Sequence, residues 1–192
     1  GHLLDVILPR TDTIQVQDEA EMIRAALEHP IGSPRLRDLV HRGQRIAIVT
    51  SDLTRPCPSE RLLPFVLEEL SAAGIPDEDI FIVLGLGLHR PMTEEEIDRI
   101  VSPEVHRRIR VLNHNADDVV RLGVTSRGTP VEFFRPLVEA DVRVCLGNLE
   151  FHWFAGFSGG AKAILPGCAS RATVTANHAL MVRPGVGAGR IQ

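Results

Sequence analysis

The run His152-Trp-Phe-Ala-Gly-Phe-Ser-Gly-Gly-Ala-Lys162-Ala-Ile-Leu-Pro-Gly167 brings an imidazole, a primary amine and closely spaced glycines into one segment. It follows directly on an apolar stretch, Val142 to Leu146. An apolar strand, a glycine-rich turn and then a lysine place backbone amides and a nucleophile beside a phosphorylated ligand. Trp153, Phe154 and Phe157 call for burial, so the segment reads as a packed site rather than a flexible loop. The nucleoside-triphosphate loop is excluded. It needs Gly before its lysine and Ser or Thr after it, and the neighbours here are Ala161 and Ala163. The Lys162 amine remains available as a point charge for phosphate or as a covalent anchor.

Other chemistry-bearing residues lie in two earlier loops and one later helix. In Ser51-Asp-Leu-Thr-Arg-Pro56, Asp52 and Arg55 form either a self-satisfied turn or a clamp. In the clamp, the planar guanidinium grips a carboxylate bidentately and Asp52 holds it in place. His89 follows Gly85 and Gly87, but Arg90 stands where a dinucleotide fingerprint needs its third glycine, so that motif is rejected. His178, after Asn177, reads as a helix-edge histidine or as a metal ligand through a neutral ring nitrogen. His29, His41, His106 and His114 read as surface histidines, and Cys145 as a buried strand residue.

The elements that must position these groups follow from hydrophobic periodicity. Leu3 to Leu8 and Thr13 to Val16 read as short strands. Asp18 to Glu28 has helical spacing, and Ser33 with Pro34 caps a short helix to about His41. A regular alternation then begins. Strands are expected at Arg45–Thr50, Asp79–Leu84, Ile109–Leu112 and Val142–Leu146. Helices are expected at Pro58–Ala73, from the Thr93/Glu96 capping box through Ile100, at Lys162–Leu165 and at Ala172–Met181. A hairpin is expected from Asp118–Leu122 and Pro130–Phe134, followed by a helical turn at Arg135–Ala140. The pattern predicts an α/β fold: a mostly parallel, Rossmann-like sheet with helices on both faces. Ligands in such sheets sit beyond the carboxyl ends of the strands. Parallel strands therefore bring Asp52, Arg55, His89, Arg90, His152 and Lys162 to one edge, joined from the next helix by His178.

The bulk properties narrow the class. With 192 residues, one domain is the default. A net charge of −4 with a pI near 6.1 and no basic stripe argues against nucleic-acid binding. No apolar run reaches membrane-spanning length, and the cysteine usage fits a reducing cytoplasm. The start at Gly1 and the loop-like end at Gln192 suggest an incomplete chain.

These motifs, in this order, resemble the nickel-dependent lactate racemase family. The matching residues are Ser51 to Pro56, Leu88-His-Arg-Pro91 with Thr93, His152 to Gly167, Ala176-Asn-His178 and Pro30-Ile-Gly-Ser33. The resemblance implies a racemase or epimerase of 2-hydroxy acids acting by proton-coupled hydride transfer. It implies a nickel-pincer nucleotide, a Ni(II) pyridinium-dithiocarboxylic acid mononucleotide, covalent on Lys162 and supplied only alongside its synthesis enzymes. His178 would complete nickel coordination, and His89 and His152 would be the acid/base pair. Arg55, oriented by Asp52, would contact the substrate carboxylate. Ser158, Gly159 and Gly160 would approach the cofactor's phosphate. The resemblance also implies that residues 1–192 are an N-terminal cofactor-anchoring domain, inactive or nearly so without a C-terminal domain. The alternatives are a non-catalytic phosphate- or nucleotide-binding module on the same scaffold and a zinc-type hydrolase using His89, His152 and His178.

Overall fold

The computed structural model describes residues 18–190, so the strands expected at Leu3–Leu8 and Thr13–Val16 lie outside the described residues. The chain divides into two units, residues 1–35 and 36–192. In the first, α1 (Glu19–Glu28) is capped by Asp18, whose side chain accepts the Glu21 N–H. Ser33 does not cap a helix as expected: its hydroxyl donates to the Pro34 carbonyl at 2.9 Å.

The second unit begins with α2 (Leu36–Leu39), shorter than the sequence pattern suggests. The alternation expected from the apolar runs then appears. It comprises β1 (Ile46–Ser51), α3 (Ser59–Ala72), β2 (Ile80–Gly85), α4 (Glu94–Val101), α5 (Pro103–Arg108) and β3 (Arg110–Asn113). A hairpin of β4 (Val119–Val124) and β5 (Pro130–Phe134) leads through α6 (Arg135–Glu139) to β6 (Val142–Cys145). Four strands form one parallel sheet in the order β3-β2-β1-β6.

Period-two alternation explains why both faces of this sheet are covered. Ile46 and Ile48 of β1, with Ile80, Ile82 and Leu84 of β2, pack into a layer with Leu63, Leu70, Ile97 and Val105. The intervening Ala47, Val49, Phe81 and Val83 pack on the opposite side with Phe134, Leu137 and Cys168. A strand buried on both faces reads as a continuous apolar run, as β1 and β2 do.

Three details depart from expectation. α5 is an additional helix, although Ser102 caps it and Pro103 occupies its first turn. Cys145 is exposed rather than buried, because β6 is an edge strand. His114 is buried, not on the surface. It follows β3 directly, its N–H bonds to the Leu84 carbonyl, and its ring meets the Phe134 edge at 5.6 Å. Burial pushes its pKa down to about 4, so the ring is neutral at pH 7. Among the described residues no helix is long and apolar enough to cross a membrane.

The predicted capping box at α4 is present: the Thr93 hydroxyl accepts the Glu96 N–H, and the Glu96 carboxylate accepts the Thr93 N–H. Thr93→Ala removes one of these bonds and is expected to cost about 1 kcal/mol, read as a lower urea midpoint with unchanged m-value.

Candidate active site

The chain order creates the site. From β1 it moves outward to β2 and β3, then returns to the other side of β1 as β6. The loops leaving β1 and β6 diverge there, and a crevice opens beyond the strand ends. A cavity of about 660 Å³ occupies this place. Asp52, Arg55, His89, His152, Lys162 and His178 all line it, as do Ser158 and Gly159. Gly160 does not.

The loops are held together by close backbone approaches. The Gly87 N–H donates to the Gly167 carbonyl at 2.9 Å. A Cβ at Gly85 would come within 3.3 Å of both the Ala163 carbonyl oxygen and Gly167 Cα. Glycine therefore lets the loop after β2 lie against the lysine segment. That segment is a single 3-10 turn, Gly160–Ala163, rather than the expected helix. Before it lies a small hairpin of β7 (Phe151–His152) and β8 (Gly156–Phe157), which the hydrophobic pattern does not signal.

Asp52 holds His89, not Arg55. Its Oδ2 meets His89 Nδ1 at 2.6 Å, while Oδ1 accepts the Thr54 N–H at 3.0 Å and the Thr54 hydroxyl at 2.6 Å. With both oxygens engaged, the expected Asp52–Arg55 pairing does not form. The Arg55 guanidinium reaches only the Thr54 carbonyl and hydroxyl, at 3.3 and 3.4 Å. Burial pushes the Asp52 carboxyl up, but hydrogen bonds from Thr54 and His89 outweigh it and hold the pKa below the ordinary value. His89 donates its Nδ1 proton to this carboxylate, so the neutral ring keeps a lone pair on Nε2.

His152 is wired the other way. Its Nδ1 accepts the Ala155 N–H at 3.2 Å, so the neutral ring carries its proton on Nε2. Burial, with the Lys162 and Arg55 charges, lowers its pKa and keeps it neutral. His178 donates Nδ1–H to the Val174 carbonyl at 2.8 Å and leaves Nε2 free. Burial first, and then Arg55, lower the pKa of the Lys162 amine. Lys162 is also the only lysine among the 192 residues, a signal visible in the sequence that motif reading passes over.

Ser158 acts as a staple. Its hydroxyl donates to the Asn148 carbonyl and accepts the Glu150 N–H, both at 2.9 Å, so it is already engaged within the protein. Trp153 is 70% exposed rather than packed, and it meets Phe154 edge-on at 4.7 Å. Among the described residues, no three His, Cys, Asp or Glu side chains converge as a metal site. The zinc-hydrolase reading therefore lacks its ligand set.

A parallel α/β domain thus gathers three histidines, one lysine and a guanidinium with no carboxylate partner among the described residues around a cavity at its switch point. The profile of the lactate racemase N-terminal domain matches residues 1–189, and the chain belongs to that family. It is 37% identical over 163 residues to the lactate racemase of Lactiplantibacillus plantarum, covering 83% of this chain and 38% of that protein. The lactate racemase of Thermoanaerobacterium thermosaccharolyticum matches with the same identity and coverage. The chain thus spans well under half the length of these relatives. The solved lactate racemase apoprotein from T. thermosaccharolyticum superposes with a TM-score of 0.80 at 35% identity, over 88% of this chain and 42% of that one. A Thermotoga maritima protein shares the fold at a TM-score of 0.71 and 22% identity, over 90% of this chain and 44% of that one.

Two measurements check the electrostatics. Asp52 has a depressed folded-state pKa, so its bonds contribute stability above the ordinary value of 3.8 that is lost as pH falls through the folded value. Asp52→Asn should cost about 1–3 kcal/mol at pH 7, and progressively less as pH drops below 4, in urea titrations. Acetylation of Lys162, followed by mass, should show a midpoint below the ordinary 10.5, and Arg55→Ala should move it upward.

Proposed function

We propose that this chain is the cofactor-anchoring part of a 2-hydroxy-acid racemase or epimerase that uses a nickel-pincer nucleotide. The observation that carries the reading is the pairing of His178 and Lys162 in one cavity. The Val174 carbonyl fixes the proton of His178 on Nδ1 and leaves Nε2 as a metal-ligating lone pair. The lysine beside it is biased toward the neutral, nucleophilic amine. These residues fit the group: Lys162 would hold it covalently, His178 would ligate its nickel, and Gly159 would border it. Bound there, the group supplies a hydride acceptor.

The protein's own residues do the rest. Arg55, free of any carboxylate partner among the described residues, binds the substrate carboxylate. His89 takes the hydroxyl proton at Nε2, and Asp52 stabilises the imidazolium that forms. His152 presents its Nε2–H in the same cavity as a hydrogen-bond donor to the substrate oxygen, and the His89 imidazolium returns the proton to that oxygen when the keto acid is re-reduced. Direct loss of the α-proton would create an unstabilised carbanion. Removing the hydroxyl proton with hydride departure leaves a flat keto acid that can be re-reduced on either face.

The test is mass spectrometry of protein produced together with cofactor-synthesis enzymes. The expected result is one covalent adduct, on Lys162. His178→Ala should keep the adduct and lower nickel affinity by about tenfold or more. A folded protein carrying no adduct sinks the reading. An adduct without racemisation of any 2-hydroxy acid by the complete protein favours the alternative, a non-catalytic nucleotide-binding module.

A further inference from the structure

Thr54 stands between the two charged groups of the loop after β1. Its hydroxyl donates to Asp52 Oδ1 at 2.6 Å, and its backbone N–H donates to the same oxygen at 3.0 Å. On its other side the hydroxyl accepts a bond from Arg55 Nη1 at 3.4 Å, and the Thr54 carbonyl accepts from the same nitrogen at 3.3 Å. A short hydrogen-bond chain therefore runs from guanidinium through hydroxyl to carboxylate. A hydroxyl donates and accepts at once, which an apolar side chain of the same shape cannot do. Asp52, Thr54 and Arg55 all line the main cavity. Asp52 is 3% exposed, so a carboxylate oxygen that loses a donor there is left as a buried anion. Arg90 of the next loop is already paired with Glu96, at 2.6 and 2.7 Å. The cation within reach of Asp52 Oδ1 is Arg55, anchored beside it at the Thr54 carbonyl.

We propose that Thr54 is a positioning residue whose hydroxyl separates Asp52 from Arg55 and so keeps the guanidinium open for the carboxylate of a ligand. Without the hydroxyl, Oδ1 retains only the Thr54 N–H, and a carboxylate oxygen has room for a further donor. The Arg55 guanidinium is the charged donor at hand, and a charge-assisted bond is about twice as strong as a neutral one. The loop would then close on itself, with Arg55 held by its own neighbour in place of a ligand. Burial raises the Asp52 carboxyl, and the Thr54 hydroxyl leads the bonds that bring it back below its ordinary value. A hydroxyl thus satisfies the carboxylate with a neutral donor and leaves the positive charge beside it uncommitted. The role of that charge toward a 2-hydroxy acid rests on the reading above. The state of the guanidinium itself can be read without nickel or cofactor.

The test is the rate at which phenylglyoxal modifies Arg55, followed by peptide mass, since a guanidinium held by a carboxylate is less open to the reagent than a free one. Thr54→Val keeps the branched shape and removes the hydroxyl. Its Arg55 rate should fall by about fivefold or more, while Thr54→Ser should keep the wild-type rate. Adding Asp52→Asn to Thr54→Val removes the captor and should restore the rate, a rescue that a merely disordered loop would not give. Should Thr54→Val lose its circular dichroism, Thr54→Ala carries the same comparisons. In the complete protein, Thr54→Val should raise KM for the 2-hydroxy acid more than it lowers kcat. An unchanged Arg55 rate in Thr54→Val, or a fall that Asp52→Asn does not reverse, overturns the proposal. If Arg55 is slowed and rescued but Lys162 never gains an adduct, the cofactor reading falls and this role stands. If Lys162 gains the adduct but the Arg55 rate ignores Thr54, the cofactor reading stands and this role falls.

Discussion

A parallel sheet has no face it can leave to water, and this constraint organises the rest of the molecule. Each strand of a parallel pair is reached by a crossover, and right-handed crossovers lay their helices on the sheet. The chain makes two such steps in one direction, through α3 and then through α4 and α5. It must then cover the other face, which Phe134, Leu137 and the Cys168 segment accomplish. To do so it reverses and adds β6 beside β1. The reversal leaves the loops after β1 and β6 without a crossover between them. The cavity is therefore a consequence of covering both faces.

Within that cavity the placement of one carboxylate decides the charge pattern. Had Asp52 paired with Arg55, the guanidinium would be neutralised and His89 left to choose its own tautomer. Thr54 and His89 instead occupy both carboxylate oxygens. Arg55 is thereby left with its charge uncompensated by Asp52. Burial lowers the pKa of His152 and of Lys162, and the Arg55 charge adds to the shift at both. An uncompensated cation in a crevice draws an anionic ligand and disfavours further positive charge on the adjacent nitrogens.

Much of the fold is legible in the sequence because β1 and β2 are unbroken apolar runs and α4 carries its capping box in four residues. The same pattern gathers Asp52, Arg55, His89, His152, Lys162 and His178 at one edge, since parallel strands put all their carboxyl ends together. What escapes depends on long-range partners. Burial of His114 requires Phe134 to fold back across the sheet, and exposure of Cys145 follows from β6 ending the strand order. The pairing of Asp52 is hidden because Arg55 is near in sequence, whereas His89 is thirty-seven residues away. The additional α5 is different. Its Ser102-Pro103 start is a recognisable cap, masked by the direct continuation from α4.

The three histidines of the site are distinguished by what each Nδ1 meets. A carboxylate takes the proton of His89, a helix carbonyl takes that of His178, and a backbone amide donates to His152. The carboxylate fixes the tautomer of His89 and leaves its Nε2 lone pair open. The carbonyl fixes the tautomer of His178 without supplying a full negative charge. The amide at His152 opposes a proton on Nδ1 and so directs the ring's proton to Nε2. Two rings with an open Nε2 and one with an Nε2–H thus arise from one side-chain type, and the differences lie in the backbone and in a single aspartate.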